Sequence, residues 1–189
     1  MSAVSQDVRW RAATSGVTVR ARSLSVAAAA AALVLVQPGL AVAAADPSTT
    51  VTYTVTSGAL TLSVPVSASL GSGAPGTQIS APIGPVTVTD DRALLSASWT
   101  VTAAETDFTN GASTIPATSA AYDPGSITTT GTITATGTPV TLSNSAQTVV
   151  TGSSGVGDNT ATWNPTVAVS VPVGAVGGAY TGTLTQSVA

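Results

Sequence analysis

Seven carboxylates beyond residue 45 are what this chain offers for acid–base chemistry: Asp46, Asp90, Asp91, Glu105, Asp107, Asp123 and Asp158. Glu105 and Asp107 stand two positions apart, and glycoside hydrolysis uses two carboxyl groups roughly 5–10 Å from each other. No aromatic cluster accompanies the pair, and the stretch Glu105–Ala112 reads as a polar loop of solvated acids. The chain has no Cys, His or Lys, and Arg92 is its one basic residue after Arg22. It therefore holds no imidazole for proton transfer, no thiol nucleophile and no ammonium for Schiff-base or phosphate work. Loop Asp and Asn oxygens are the ligand type that calcium takes, but no EF-hand or repeat spacing occurs. The expectation is a non-catalytic protein with no metal site and no cofactor. Asp90-Asp91-Arg92 reads as a turn with a local ion pair.

Recognition, if not catalysis, falls to aromatic and amide side chains. Trp163 follows the polar stretch Gly157-Asp158-Asn159-Thr160 and is a candidate for stacking on a sugar face, with Asn159 and Tyr180 as further candidate ligand contacts. Trp163 is also in phase with Val167, Val169 and Val171, which suits a core position. Trp99 lies in the middle of a clean alternation and is expected in the core.

These residues sit in short alternating runs separated by Gly, Pro, Asn and Asp. Val51, Tyr53 and Val55 alternate with threonines. Ser57-Gly58 reads as a turn into Leu60, Leu62, Val64 and Val66, so the two runs predict a hairpin. Val86 and Val88 precede the Asp90 turn. Leu95, Ala97, Trp99, Val101 and Ala103 share one face of the longest run, opposite Ser96, Ser98, Thr100 and Thr102. Phe108 is expected to reach back to the core. Ala121–Gly125 reads as a turn, Ile127–Ala135 as a Thr-rich strand, and Val140–Leu142 and Thr148–Val150 as short strands. Gly152–Asn159 reads as a Gly/Ser loop. Trp163 to Val173 reads as a strand that Pro165 and Pro172 force to an edge or a bulge. Tyr180, Gly182, Leu184, Gln186 and Val188 share the side of a last strand. Nine or ten such strands with no helical period predict an all-β antiparallel sandwich.

Residues 1–45 have the layout of an export signal. Arg9, Arg11, Arg20 and Arg22 form a basic start, Ser23–Val36 an uncharged apolar run, and Ala41-Val42-Ala43 and Ala43-Ala44-Ala45 a small-x-small cleavage region. The apolar run is too short for a membrane span, which needs about 20 residues. Cleavage after Ala45 leaves 144 of the 189 residues, enough for a single domain, residues 46–189, with a core of its own. The formal charge moves from −3 for the whole chain to −6, seven acids against Arg92. So acidic a surface has no footprint for phosphate backbones and none for anionic lipid, so neither nucleic acid nor, after cleavage, a membrane is expected as partner. Residues 46–189 show no sortase-type run or apolar span, so the expectation after cleavage is a protein either free or held at the surface by non-covalent contacts.

Ser98-Trp99-Thr100-Val101, with Asp90-Asp91-Arg92 before it, and the terminal Ala179-Tyr180-Thr181-Gly182-Thr183-Leu184-Thr185 resemble the WxL domain of Gram-positive cell-surface proteins. Asn159–Pro165 looks like an actinobacterial version of the same layout. The resemblance covers residues 50–189. Val101 stands where the family has Leu, and Gln186 where its second motif has Trp. The resemblance implies non-covalent attachment to peptidoglycan, or membership of a surface-protein complex, with Trp99, Val101 and Leu184 as motif residues. The expectation is a secreted cell-surface binding module whose partner is cell-wall peptidoglycan or another surface protein. The alternative is a fibre or matrix subunit that assembles through strand edges.

Overall fold

The computed structural model describes residues 48–111 and 113–189. The expected signal segment lies outside them. The described chain forms twelve strands and a single 3-10 turn, Ala117–Ser119, and every strand pair is antiparallel. The all-β, antiparallel sandwich expectation is met.

The larger sheet is built round one long strand. β1 (Leu60–Ser63) pairs with β3 (Val86–Asp90), and β3 pairs with the C-terminal part of β10 (Gln147–Trp163). β4 (Ala97–Glu105) continues along the same edge of β10, against Gln147–Gly155, and carries β12 (Leu184–Val188) on its other side. β8 (Ile127–Gly137) covers the opposite edge of β10. The smaller sheet runs β2 (Gln78–Pro82), β11 (Thr166–Ser170), β7 (Ala120–Asp123), β9 (Val140–Thr141). β5 (Phe108–Asn110) and β6 (Ser113–Ile115) form a separate hairpin.

Period-two alternation decides what is buried. Val86, Val88, Trp99, Val101, Ala103, Val149, Val150 and Trp163 from the larger sheet meet Ala120, Tyr122, Val167 and Val169 from the smaller one. Phe108 packs against this core, as its sequence position implied. On the outer face, threonines pair across strands: Thr61 opposite Thr89, Thr89 opposite Thr160, and Thr160 opposite Thr130. The Thr87–Thr162 and Thr130–Thr160 hydroxyls are hydrogen-bonded, at 3.0 and 2.6 Å.

Four sequence readings are corrected. Gly152–Asn159 is not a loop but the middle of β10, where register shifts against β4 and β8 absorb the extra residues. Ser154 and Gly157 take positive φ there, 58° and 65°, so the Gly/Ser composition marks bulges that bend a paired strand. Trp163–Val173 is not one strand: β10 ends at Trp163, Asn164-Pro165 carries the chain to the other sheet, and β11 starts at Thr166. A proline has no N–H for a ladder, which makes the crossing cheap at that point. Ala121–Asp123 belongs to β7, with the turn one step later.

The fourth correction concerns the N-terminal run. Ser57-Gly58 does not turn. Gly58 N–H donates to Asp91 O at 2.6 Å, and Asp91 N–H donates to Ala59 O at 3.0 Å, so the β1 ladder runs straight past the expected hairpin. A Cβ on Gly58 would stand 2.7 Å from Asp91 Cβ, so glycine permits this approach. Residues 51–57 are consequently exposed and outside any strand.

Candidate functional site

The local ion pair expected at Asp90-Asp91-Arg92 is present, on a buried acid. Asp90 is fully buried, Arg92 Nε–H donates to its Oδ1 and Arg92 Nη2–H to its Oδ2, both at 2.8 Å, and Nη2 also donates to Ser98 O at 2.9 Å. The Arg92 hydrogen bonds hold the Asp90 carboxyl below its ordinary range. The guanidinium ties the end of β3 to the start of β4, so the lone basic residue is engaged in structure. Among the described residues no three His, Cys, Asp or Glu side chains cluster.

The candidate recognition residues divide. Trp163 is 2% exposed, so the expected stacking platform is in the core. It ends β10 at the crossing between sheets, in phase with the buried face, and its truncation would damage the core. Its Nε1–H donates to Tyr122 Oη at 2.9 Å, and the Tyr122 hydroxyl donates to Gln186 Oε1 at 3.0 Å. Three strands, β10, β7 and β12, are thereby tied through one buried phenol, whose pKa burial pushes up to about 12. Gln186 is the acceptor that closes this chain of bonds. Tyr122→Phe would leave the Trp163 N–H and the Gln186 carbonyl without partners. Its expected cost is about 1–3 kcal/mol, read as a lower denaturant midpoint with an unchanged slope.

Asn159 is also buried, with its Oδ1 unpartnered and Nδ2 donating to Gly157 O at 3.3 Å. It faces Asp90 across the β3–β10 ladder, not solvent, because the expected loop is a strand. Trp99 and Val101 are core residues, as expected. Leu184 is partly buried against the core, and Tyr180 is half-buried with its hydroxyl donating to Val176 O at 2.9 Å.

Tyr180 and Leu184 do come together, in a cleft that sequence reasoning missed. Between β4 and β12 on one side and β2 and β11 on the other, the sandwich stays open and encloses about 720 Å³. Ile79, Val167, Val169, Phe108 and Leu184 give it apolar walls, and Val64–Gly73 and Ala175–Thr183 form its rim. That volume is within the range of roughly 300–1,000 Å³ that holds small ligands or short chain segments. Of its lining residues, Glu105 and Tyr180 are the titratable ones.

Glu105 is the centre of the site. It ends β4 in phase with Ala97, Trp99, Val101 and Ala103, is 4% exposed, and its Oε1 has no hydrogen-bond partner. It is not the solvated loop acid the sequence suggested. Burial pushes its carboxyl up to about 7, with the Thr106 backbone hydrogen bond acting in the opposite direction. A Cβ on Gly182 would stand 2.5 Å from Glu105 Oε1 and 2.8 Å from Phe108 Cδ1, so only glycine lets the segment before β12 close over the carboxyl. Asp107, the other half of the proposed pair, is engaged elsewhere: its Oδ1 accepts the Ala117 N–H at 2.9 Å. The cleft therefore offers a single acidic group in apolar surroundings. Ionised, that group accepts hydrogen bonds; neutral, it donates one as well.

No family model matches the chain, and no curated protein or solved structure does either.

Proposed function

We propose that this protein is a secreted, non-catalytic interaction module of the cell surface, and that its cleft takes an extended segment of a surface protein. The observation that carries the reading is the open apolar cleft with one buried, unpartnered acceptor, Glu105 Oε1. Apolar side chains of a bound segment would fill the walls, and one donor would satisfy the carboxyl. β12 and β2, which flank the opening, are each the last strand of their sheet, so backbone edges are present beside it for strand addition. The WxL-like motifs support association with the surface. Of the two partners that resemblance implies, a protein suits this site better than peptidoglycan, because Trp99 and Trp163 are both buried and no tryptophan among the described residues lines the cleft.

The test is retention on isolated cell walls. The secreted protein should sediment with walls that keep their proteins and stay in solution with protease-stripped walls. Val66 and Val176 are exposed at the rim, so Val66→Asp and Val176→Asp should remove retention while leaving the melting curve unchanged. Retention should change little between low and moderate salt, because one Arg against seven carboxylates leaves scarcely any long-range attraction to an anionic wall to screen. Equal retention on stripped walls would point instead to glycan. Retention that ignores both rim substitutions would remove the cleft from the account.

A further inference from the structure

The chain carries a strand-forming run that belongs to no sheet, and a cleft with apolar walls. Val51-Thr52-Tyr53-Thr54-Val55-Thr56 is the composition that strands favour, β-branched and aromatic residues in strict alternation. Yet it stands outside every sheet. Val51 is 82% exposed, Tyr53 86% and Val55 71%, and no backbone group of residues 51–57 is hydrogen-bonded to another described residue. The unsatisfied ladder makes this segment ready to pair with any open edge. Gly58 fixes its exit beside Asp91, and none of its residues lines the cleft of its own chain.

We infer that Val51–Thr56 of one copy enters the cleft of a second copy as an added strand, with Val51, Tyr53 and Val55 directed inward and the Tyr53 hydroxyl donating to the Glu105 carboxyl. The inference rests on the reading of the cleft as a site for an extended chain, and names that chain. Three observations converge on it. Residues two apart share one face of a strand, so Val51, Tyr53 and Val55 present a continuous apolar edge about 14 Å long to walls made of Val, Ile, Leu and Phe. The cleft presents one carboxyl, Glu105, and the segment supplies one phenol, at its midpoint. The outward side would then carry Thr52, Thr54 and Thr56, which matches the threonine-rich outer face of the larger sheet. Each copy has one segment and one cleft. The contact is therefore heterologous, and unless it closes into a ring it propagates as a fibre.

The chain has no cysteine, so single cysteines report cleanly. Val51→Cys and Val66→Cys, both at exposed positions, would be made separately, mixed and oxidised. The expected result is a dominant crosslink between the two variants, above either self-crosslink. Introducing Tyr53→Asp into the Val51→Cys chain should abolish that crosslink. In sedimentation velocity the unmodified protein should form species that lengthen with concentration. Tyr53→Asp should weaken that association by roughly thirtyfold or more, as loss of a central aromatic contact does. Tyr53 is solvent-exposed in the free chain, so its substitution leaves the fold intact. A statistical mixture of crosslinks, or a monomer at every concentration, would overturn the inference. So would a Val51→Cys/Val66→Cys double variant that bridges only within one molecule, which would make the segment a strap on its own cleft. If Tyr53→Asp is still retained on protein-bearing walls while Val66→Asp is not, the cleft reading stands and the self-partner falls. If neither substitution affects retention, the cleft reading itself falls.

Discussion

Trp99→Ala should destabilise the protein by on the order of 3–5 kcal/mol, a large share of the 5–15 kcal/mol that holds a typical domain together. Trp99 is central to β4, 2% exposed, and lies opposite Gly152 on β10. Gly152 has no Cβ, and one built there would fall within contact distance of the Trp99 six-membered ring. The indole thus occupies the space that a side chain at Gly152 would take, and its truncation leaves a cavity against the β10 backbone. One term opposes the loss. Trp99 Nε1 is buried without a hydrogen-bond partner, and removing an unpaired donor recovers about 1–3 kcal/mol. The cavity term is the larger, so the net sign is destabilising. Trp99→Phe separates the two contributions: it keeps a ring over Gly152 and removes the orphan N–H, and should cost much less than the alanine variant. Equilibrium denaturation of the three proteins reads both differences. Coincident melts for Trp99→Ala and the parent would place the indole outside the core.

That core position was legible in the sequence, and the reason is physical. Where a strand is buried on one face and wet on the other, apolar residues recur every second position, and Ala97, Trp99, Val101 and Ala103 show that pattern without interruption. The same alternation continues to Glu105, and there residue type misled: an acid reads as a loop residue although its phase directs it inward. Composition misled again at Gly152–Asn159, because glycine and serine that permit bulges within a paired strand look like those that end one. Trp163 was ambiguous on local grounds, since a polar neighbourhood and a core phase coexisted. What settled it was Tyr122, a residue 41 positions away, and contacts of that range are not written in local periodicity. The N-terminal run gave the opposite error. Val51–Val55 has strand chemistry without a strand partner, and only the topology reveals that its edge is unclaimed. The cleft was invisible for the same reason, being assembled from β2, β4, β11, β12 and the rim between them.

The stability of the free protein should fall as pH rises from about 4.5 to about 7, opposite to the behaviour of most buried acids in ion pairs. Glu105 has its ordinary value, 4.5, in the unfolded chain and about 7 in the folded one. Below 4.5 the carboxyl is protonated in both states and imposes nothing. Between the two values the folded state holds a proton that the unfolded state has released, so raising the pH favours unfolding. Above 7 both are ionised, and the folded state carries a buried charge whose full penalty is about 3 kcal/mol. Asp90 acts in a separate window. Its carboxyl is held below the ordinary range by Arg92, so its stabilisation is present above that range and is lost only as the pH falls through its folded value. Together the two groups place the stability maximum on the acid side of neutrality. Glu105→Gln should flatten the fall between pH 4.5 and 7 and raise the alkaline plateau by up to about 3 kcal/mol, read from denaturant midpoints across the pH range. Glu105→Leu, which brings no amide donors to bury, should do the same. Persistence of the slope in both variants would assign it to another group. In the assembled form the Tyr53 hydroxyl would donate to the ionised carboxyl and favour its charged state. The same slope should therefore shrink at concentrations where the chain associates, and return in Tyr53→Asp.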